Sequence, residues 1–514
     1  MPRVLRADRR DLRLGEVRGR NITADVYFDG HRVWSTKLPA RHKRTGVRRV
    51  PWPPALLPYL SGTSEVTVRN SATGKELASG EVRFGGPGRV AVTDAQNRWL
   101  AVNKWDRMGP SFDGDPSGVQ DRLLKAAVLV AQQMEEWGYP VYIVGGTLLG
   151  AMRSGELLPH DDDIDLAFWC DKTDPQDVTL VGFELQRQLE AAGYVVCRHS
   201  HTHLEIVYLS DNGSTDYYID IFTGYHNAQG LYDQPFALRG NLPREKLLPT
   251  RTIAVSGVEL PGPAVPEAWL AFAYGRKWAK PDPAFKWEIP SDTRRAFSNN
   301  FGNFNRQRVF WEKTWMKVDK RAPTLGPPLD PDEFDDVDRF LELLPEHASV
   351  VDLGCGDGRH TERIAAAGHR VLGVDYSYEA LRAARQDQSQ DVEYRFMNLN
   401  DRHELLRFAL DVVDRGERPY FFARNLLHEM VGGSRLDLLS ALRPMLDAST
   451  FLYATFDVDR MRDRQLKNPE TWDVSVEHLS TEAWRWKLGT TPIAQRWRPT
   501  PYGKRNNITA LVWA

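Results

Sequence analysis

The run Ser349-Val-Val-Asp-Leu-Gly-Cys-Gly-Asp-Gly-Arg359 constrains the fold of this chain more than any other stretch. An apolar strand enters three alternating glycines and continues into a segment of helical character, Arg359–Ala367. A second apolar strand, Arg370-Val-Leu-Gly-Val-Asp375, ends on an acid. Strand, glycine turn, helix and strand make the first βαβ unit of an open sheet, which binds ligands outside the carboxyl ends of its strands. Gly354, Gly356 and Gly358 let the loop pass close beneath a ligand, and Asp375 is placed to take two ribose hydroxyls. A dinucleotide fingerprint would need glycine three residues after Gly356, where Arg359 stands instead.

The order acid-x-Gly-x-Gly-x-Gly, from Asp352 through Gly358, resembles the motif of class I S-adenosylmethionine-dependent methyltransferases. That resemblance implies a Rossmann-like, seven-stranded domain over residues 331–514. It places Asp352 and the loop against the methionine end of S-adenosylmethionine, Asp375 on the ribose and Asn398, after the strand Glu393–Met397, against the adenine. A fourth strand, Pro419–Ala423, leads into Arg424, Asn425 and His428, which are expected to line the methyl-transfer pocket. His428 fits either a general base for a hydroxyl acceptor or a hydrogen-bonded structural histidine. Methyl transfer requires positioning above all, and a base is not obligatory. Phe451–Phe456 reads as the fifth strand, and Pro492–Arg498 with Asn507–Val512 reads as a terminal antiparallel pair.

A second chemical pattern lies upstream. Tyr142-Ile-Val-Gly-Gly-Thr-Leu-Leu-Gly150 reads as strand, glycine turn and helix start. Gly145 and Gly146 admit close backbone approach, Thr147 suits a helix cap, and free N–H groups there suit phosphate. Pro159-His-Asp-Asp-Asp-Ile-Asp-Leu166 follows, and on a strand Asp163 and Asp165 face one side while Ile164 turns to the core. Asp161 shares that face if the strand begins early, whereas Asp162 reads as an acidic loop residue. Tyr218-Ile-Asp-Ile-Phe222 is an apolar strand broken by one acid, Asp220. Three carboxylates on neighbouring strands make a hard-oxygen site for Mg²⁺ or Mn²⁺ acting on phosphates.

These segments, with Val265-Pro-Glu-Ala-Trp-Leu270 and Tyr274-Gly-Arg-Lys-Trp-Ala-Lys-Pro281, resemble the LicD family, which includes phosphocholine transferases and fukutin-related proteins. His160 departs from that family, which usually has an aromatic such as Trp at this position. The resemblance implies a nucleotidyltransferase-fold α+β domain over residues 104–322. It implies transfer of a phosphorylated alcohol from a CDP-activated donor to a glycan hydroxyl. Asp163 and Asp165 would hold metal, and Asp220 would complete the metal shell or deprotonate the acceptor. Arg153 reads either as a phosphate clamp or as an ordinary helix-surface residue. A small-molecule nucleotidyltransferase fused to a methyltransferase is the rival reading, and a scaffold with only the methyltransferase active is a third.

The remainder frames these two centres. At 514 residues the chain predicts about three domains, giving a multidomain α/β protein. Residues 1–100 alternate in short strands with Gly and Pro punctuation, as in Asn21–Phe28 with a hairpin at Asp29-Gly30, and suggest a small β-sandwich. That module reads equally as a glycan-binding or docking element and as a structural cap. Pro323, Pro327, Pro328 and Pro331 mark a linker. The net charge of -2 gives no global reason to coat nucleic acid, although Arg6, Arg9, Arg10, Arg13, Arg48 and Arg49 make the start locally basic. Cys170, Cys197 and Cys355 form no CxxC pair and fit a reducing compartment. Met1–Arg20 lacks an apolar leader core, and no run reaches ~18 apolar residues. A cytoplasmic enzyme is therefore expected, peripheral at most to the inner face of a membrane, with a glycan or polyol-phosphate polymer as acceptor. The oligomeric state is left open.

Overall fold

The structure, a computed structural model, describes residues 5–15, 17, 19, 22–42, 45–71, 73–93, 99–102, 108–110, 118–158, 163–210, 215–236, 238–280, 289–305, 307–315, 334–462, 464–465 and 468–514. Two compact units emerge. The first comprises 1–197, 201–207 and 217–302, and the second comprises 198–200, 208–216 and 303–514. His160, Asp161, Asp162 and the expected linker prolines lie outside the described residues.

At the start of the first unit, His31–Lys37, Thr23–Phe28, Gly62–Asn70 and Glu76–Gly85 form an antiparallel sheet in that order. A three-stranded sheet holds Leu5–Ala7, Asp11–Leu14 and Arg48–Pro51. The alternation read from sequence is what buries Ala24, Val26 and Phe28 while their neighbours stay half-exposed. These residues share one core with Trp34, Trp52 and Phe84. Arg48 leaves the expected basic surface: it is buried and donates its Nε–H to the Val17 carbonyl at 3.2 Å. A buried guanidinium needs such acceptors.

The rest of the first unit alternates helix and strand. Helix Val119–Glu136 buries Leu123, Leu124, Ala127, Val130, Ala131 and Met134, the face its 3.6-residue spacing dictates. Val141–Ile143 runs antiparallel to Asp163–Cys170, which runs parallel to Thr215–His226. His203–Leu209 lies beside Thr215–His226.

The second unit is one seven-stranded sheet in the order Val392–Phe396, Arg370–Asp375, Ser349–Leu353, Tyr420–Arg424, Phe451–Asp457, Gly503–Trp513, Gly489–Thr500. The first five strands are parallel, and Gly503–Trp513 is antiparallel to both of its neighbours. The strand ends near Leu353, Asp375 and Arg424 thus share one edge, where the sequence places ligand chemistry. The main segment of this unit starts at 303, upstream of the linker that was expected to divide residues 104–322 from 331–514. Helix Arg308–Trp315 belongs with it because Glu312 is bonded to Ser377, Tyr378 and Glu379.

Candidate active sites

In the first unit, the pairing of Asp163–Cys170 with Thr215–His226 sets Asp165 directly beside Asp220. Ile164 is fully buried between Asp163 and Asp165, so strand alternation gives the two acids a common face. Oxygens of Asp163, Asp165 and Asp220 all lie within 4.8 Å of one another. Helix Gly145–Ser154 starts against this cluster, and the Gly146 amide donates to Asp165 Oδ2 at 2.7 Å. Gly145 has φ +56°, and any Cβ there would collide with the Asp165 carboxylate. Only glycine therefore permits this approach.

His203 joins the cluster from the neighbouring strand, with Nε2 at 2.7 Å from Asp220 Oδ1. Its ring is packed against Phe222 and Phe236. Burial lowers its pKa to about 4, against the pull of Glu205 and Asp165. A neutral imidazole that donates Nε2–H to Asp220 satisfies both observations.

In the second unit, a cavity of about 250 Å³ opens at the strand ends. Its floor is the glycine loop: the Gly354 and Cys355 amides donate to the Val374 carbonyl at 2.8 and 3.0 Å. The amides of Gly356 and Ser377 donate to the two oxygens of Asp375 at 3.1 and 2.8 Å. Burial pushes the Asp375 carboxyl up to about 6, and those backbone donors pull it back down. Burial likewise pushes Asp352 up to about 7, although Thr361 Oγ1 donates to it at 2.6 Å. Gly356, at φ +56°, lies so close beneath Trp315 that a Cβ would come within 2.6 Å of the indole. Arg424 and Asn425 line the cavity as expected, joined by Trp311, Glu429, Glu470, Arg498 and Thr500. Asn425 holds φ +57°, a conformation that non-glycine residues adopt mainly at turns and functional sites.

Residues 138–265 match the family model described as LicD/FKTN/FKRP, nucleotidyltransferase domain, and residues 350–414 match one described as methyltransferase domain. The chain carries a LicD domain fused to a methyltransferase domain. Both descriptions are of transferase domains. No curated protein matches it. Among solved structures, a SAM-dependent methyltransferase from Anabaena variabilis is 16% identical, the match covering 41% of this chain and 94% of that one at a TM-score of 0.32. A TehB-like SAM-dependent methyltransferase from Corynebacterium glutamicum is 17% identical over 34% of this chain and 85% of its own, at a TM-score of 0.25.

Several expected roles change in the folded chain. In the LicD domain, Thr147 does not cap its helix: Val144 occupies the cap position, and Thr147 Oγ1 instead accepts the Asp165 amide at 2.9 Å. The Gly146 amide is given to Asp165, so the helix start steadies an acid where phosphate was expected. Arg153 is turned onto backbone: its Nε donates to the Trp278 carbonyl at 2.8 Å and a terminal nitrogen donates to the Lys280 carbonyl at 3.3 Å. The Tyr274-to-Lys280 stretch is therefore tied back onto the helix that carries the glycines.

In the methyltransferase domain, Asn398 is buried and does not line the cavity, where Met397, Leu399 and Asn400 stand. Its amide donates to the Phe304 carbonyl at 3.0 Å and its oxygen accepts the Asn400 amide at 3.0 Å. His428 is also off the cavity, fully enclosed, and accepts the Asp457 amide at Nδ1 at 3.3 Å. Burial drops it to about 3, so the structural alternative holds for this histidine and the general-base role does not. Sequence reasoning missed His203, Trp311, Glu312, Glu429 and Glu470. For His203 the available signal was His-x-Glu alternation at 203 and 205, on a strand next to an acid. For Trp311 and Trp315 it was their spacing of four on one helix face.

Proposed function

We propose that the chain is a bifunctional enzyme that modifies a surface glycan or teichoic-acid-like polymer. Its LicD domain transfers a phosphorylated alcohol from a CDP-linked donor to a polymer hydroxyl, and its methyltransferase domain methylates the product or a neighbouring group. The observation that carries the first half is the convergence of Asp163, Asp165 and Asp220 within 4.8 Å. Three hard-oxygen donors on two adjacent strands fit Mg²⁺ or Mn²⁺. Bound there, the cation would neutralise phosphate charge during transfer. Asp163 and Asp165 are its proposed holders. Asp220, steered by His203, either completes that shell or takes the proton of the acceptor hydroxyl.

Among the described residues no helix is long and apolar enough to cross a membrane. The proposed setting is the cytoplasm, at the inner face of the membrane where such polymers are built.

The test is CMP release from CDP-choline and CDP-ribitol in the presence of acceptor polymer and Mg²⁺. Asp163→Ala is expected to abolish CMP release while labelled S-adenosylmethionine still binds the variant. Incorporation of CTP or ATP into a small molecule, without CMP release, would instead favour a nucleotidyltransferase.

A further inference from the structure

Asn425 directly follows strand Tyr420–Arg424 and lines the methyltransferase cavity. In the sheet order, strand Ser349–Leu353 lies between Tyr420–Arg424 and Arg370–Asp375. The glycine loop that leaves Ser349–Leu353 therefore separates Asn425 from Asp375. The next residue, Leu426, packs against that loop: a Cβ at Gly354 would come within 3.2 Å of Leu426 Cδ1. Asn425 thus borders the loop on the side away from Asp375.

Its neighbours fix which end of the Asn425 side-chain amide faces the cavity. Asp457 is fully buried and pairs with Arg498 at 2.7 Å and Arg505 at 3.0 Å, so it is a carboxylate that only accepts. The Asn507 side chain reaches Asp457 Oδ1 at 2.8 Å, and the atom that does so is therefore its nitrogen. The second proton of that nitrogen goes to the Asn425 side chain at 3.0 Å, and the Asn425 atom that receives it is therefore its oxygen. Thr455 agrees with this assignment. Its Oγ1 accepts the Asn425 backbone amide at 3.0 Å, which leaves its one proton for Asn425 Oδ1 at 3.3 Å. Oδ1 is thus held twice by protein, and the backbone beneath it stands at φ +57°. Nδ2, with two N–H donors, is turned the other way, and among the described residues it meets no protein acceptor.

We infer that Asn425 binds the methyl acceptor through Nδ2, which donates to the acceptor's reacting oxygen, and that this domain methylates a hydroxyl in preference to an amine. The inference rests on the methyltransferase half of the proposed function. An ammonium offers no lone pair and would set donor against donor, whereas a hydroxyl oxygen has two. A site built to bond one polar group rejects the analogue that lacks it, because its own donors are then left unpaired. A sugar or polyol hydroxyl, as carried by the proposed polymer, meets this requirement. One lone pair of the hydroxyl oxygen takes the Nδ2 proton as a hydrogen bond, and the other forms the new O–C bond as the C–S bond breaks. The electron pair of the broken bond stays on sulfur. The products are S-adenosylhomocysteine and the methyl ether R–O–CH₃, and the hydroxyl proton leaves to water.

The full chain with labelled S-adenosylmethionine should be offered a ribitol phosphate polymer, ribitol 5-phosphate and glucose, with ethanolamine phosphate and glucosamine as amines. Fragmentation mass spectrometry reads whether the methyl group sits on oxygen or nitrogen, and calorimetry reads S-adenosylhomocysteine binding. Methyl ethers are expected, and no N-methyl product. Asn425→Asp keeps an oxygen toward Asn507 and Thr455 but replaces the two donors with a second oxygen. It should lower kcat/KM by about 10²-fold or more, with S-adenosylhomocysteine affinity within about twofold of the parent. Asn425→Gly is at ease with the positive φ and serves as the second variant should the Asp variant fold poorly; it should lower kcat/KM by about tenfold or more. Thr455→Val, away from the cavity wall, frees the amide to turn and should raise KM more than it lowers kcat. Methyl groups on nitrogen, methylation of none of these compounds by protein that binds S-adenosylhomocysteine, unchanged kcat/KM in both Asn425 variants, or a loss of S-adenosylhomocysteine affinity as large as the loss of activity overturns the inference. Failure of the parent to bind S-adenosylhomocysteine at all instead overturns the methyltransferase half of the proposed function.

Discussion

Replacing Glu312 by Ala tests how far the methyltransferase domain depends on a helix outside its sheet. The Glu312 carboxylate accepts Ser377 Oγ at 2.8 Å, the Tyr378 amide at 2.9 Å and the Glu379 amide at 3.1 Å. It therefore closes the start of helix Tyr378–Ala384, just after Asp375. Truncation leaves two helix-end amides and one hydroxyl without this acceptor. A hydrogen bond to a charged group contributes roughly 1.5–3 kcal/mol net. The Glu312 side chain is 19% exposed, so water recovers part of the loss. The expected destabilisation is therefore about 2–4 kcal/mol rather than the full sum of three bonds. For a unit of this size that corresponds to a fall of roughly 5–15 °C in Tm. The assay is thermal unfolding, following the transition that S-adenosylhomocysteine raises. Glu312→Gln keeps the acceptor oxygen and should lose about half as much. Ser377 also donates its amide to Asp375, so S-adenosylhomocysteine should bind about tenfold more weakly to the Ala variant. A Tm within 1 °C of the parent (under about 0.5 kcal/mol) together with unchanged affinity would refute the capping argument.

Three further outcomes follow from the same geometry. Gly145→Ala forces both a strained positive φ and a clash with Asp165, so CMP release should fall at least about 10²-fold while S-adenosylhomocysteine binding is retained. Normal CMP release would show that the helix start is not held against the acids. Asp352 and Asp375 hold their protons more tightly folded, at about 7 and about 6, than unfolded at 3.8. Their contribution to stability is thus full below pH 4 (roughly the ordinary Asp value) and lost as pH rises through 6–7. Asp352→Asn should therefore flatten the decline of the ligand-free Tm from acid to alkaline pH, and should stabilise the alkaline form by up to about 4 kcal/mol. A variant less stable than the parent at alkaline pH contradicts that sign. His428→Gln should lower stability yet reduce methyl-transfer kcat less than about tenfold, since the ring is walled off from the cavity; a loss of 10³-fold or more (about 4 kcal/mol) would return it to the chemistry.

The sequence by itself determined whatever depends on neighbours a few positions away. Period two along Asp163–Cys170 put two carboxylates on one face, and period 3.6 along Val119–Glu136 set the face that is buried. Three glycines followed by a spaced acid were enough to mark the strand, turn, helix and strand at 349–375, because turn geometry is local. Tertiary structure alone decided which distant side chains meet. It brought Asp220 into register with Asp165, set His203 against Asp220, and carried Glu312 to a helix start more than sixty residues downstream. It also decided which polar groups are spent before any ligand arrives. Arg153, Asn398 and His428 have motif-like positions, yet the fold gives each of them a protein partner. The physical reason is that buried polar groups must be satisfied, and the partner that satisfies them is chosen by three-dimensional packing, which local periodicity does not encode.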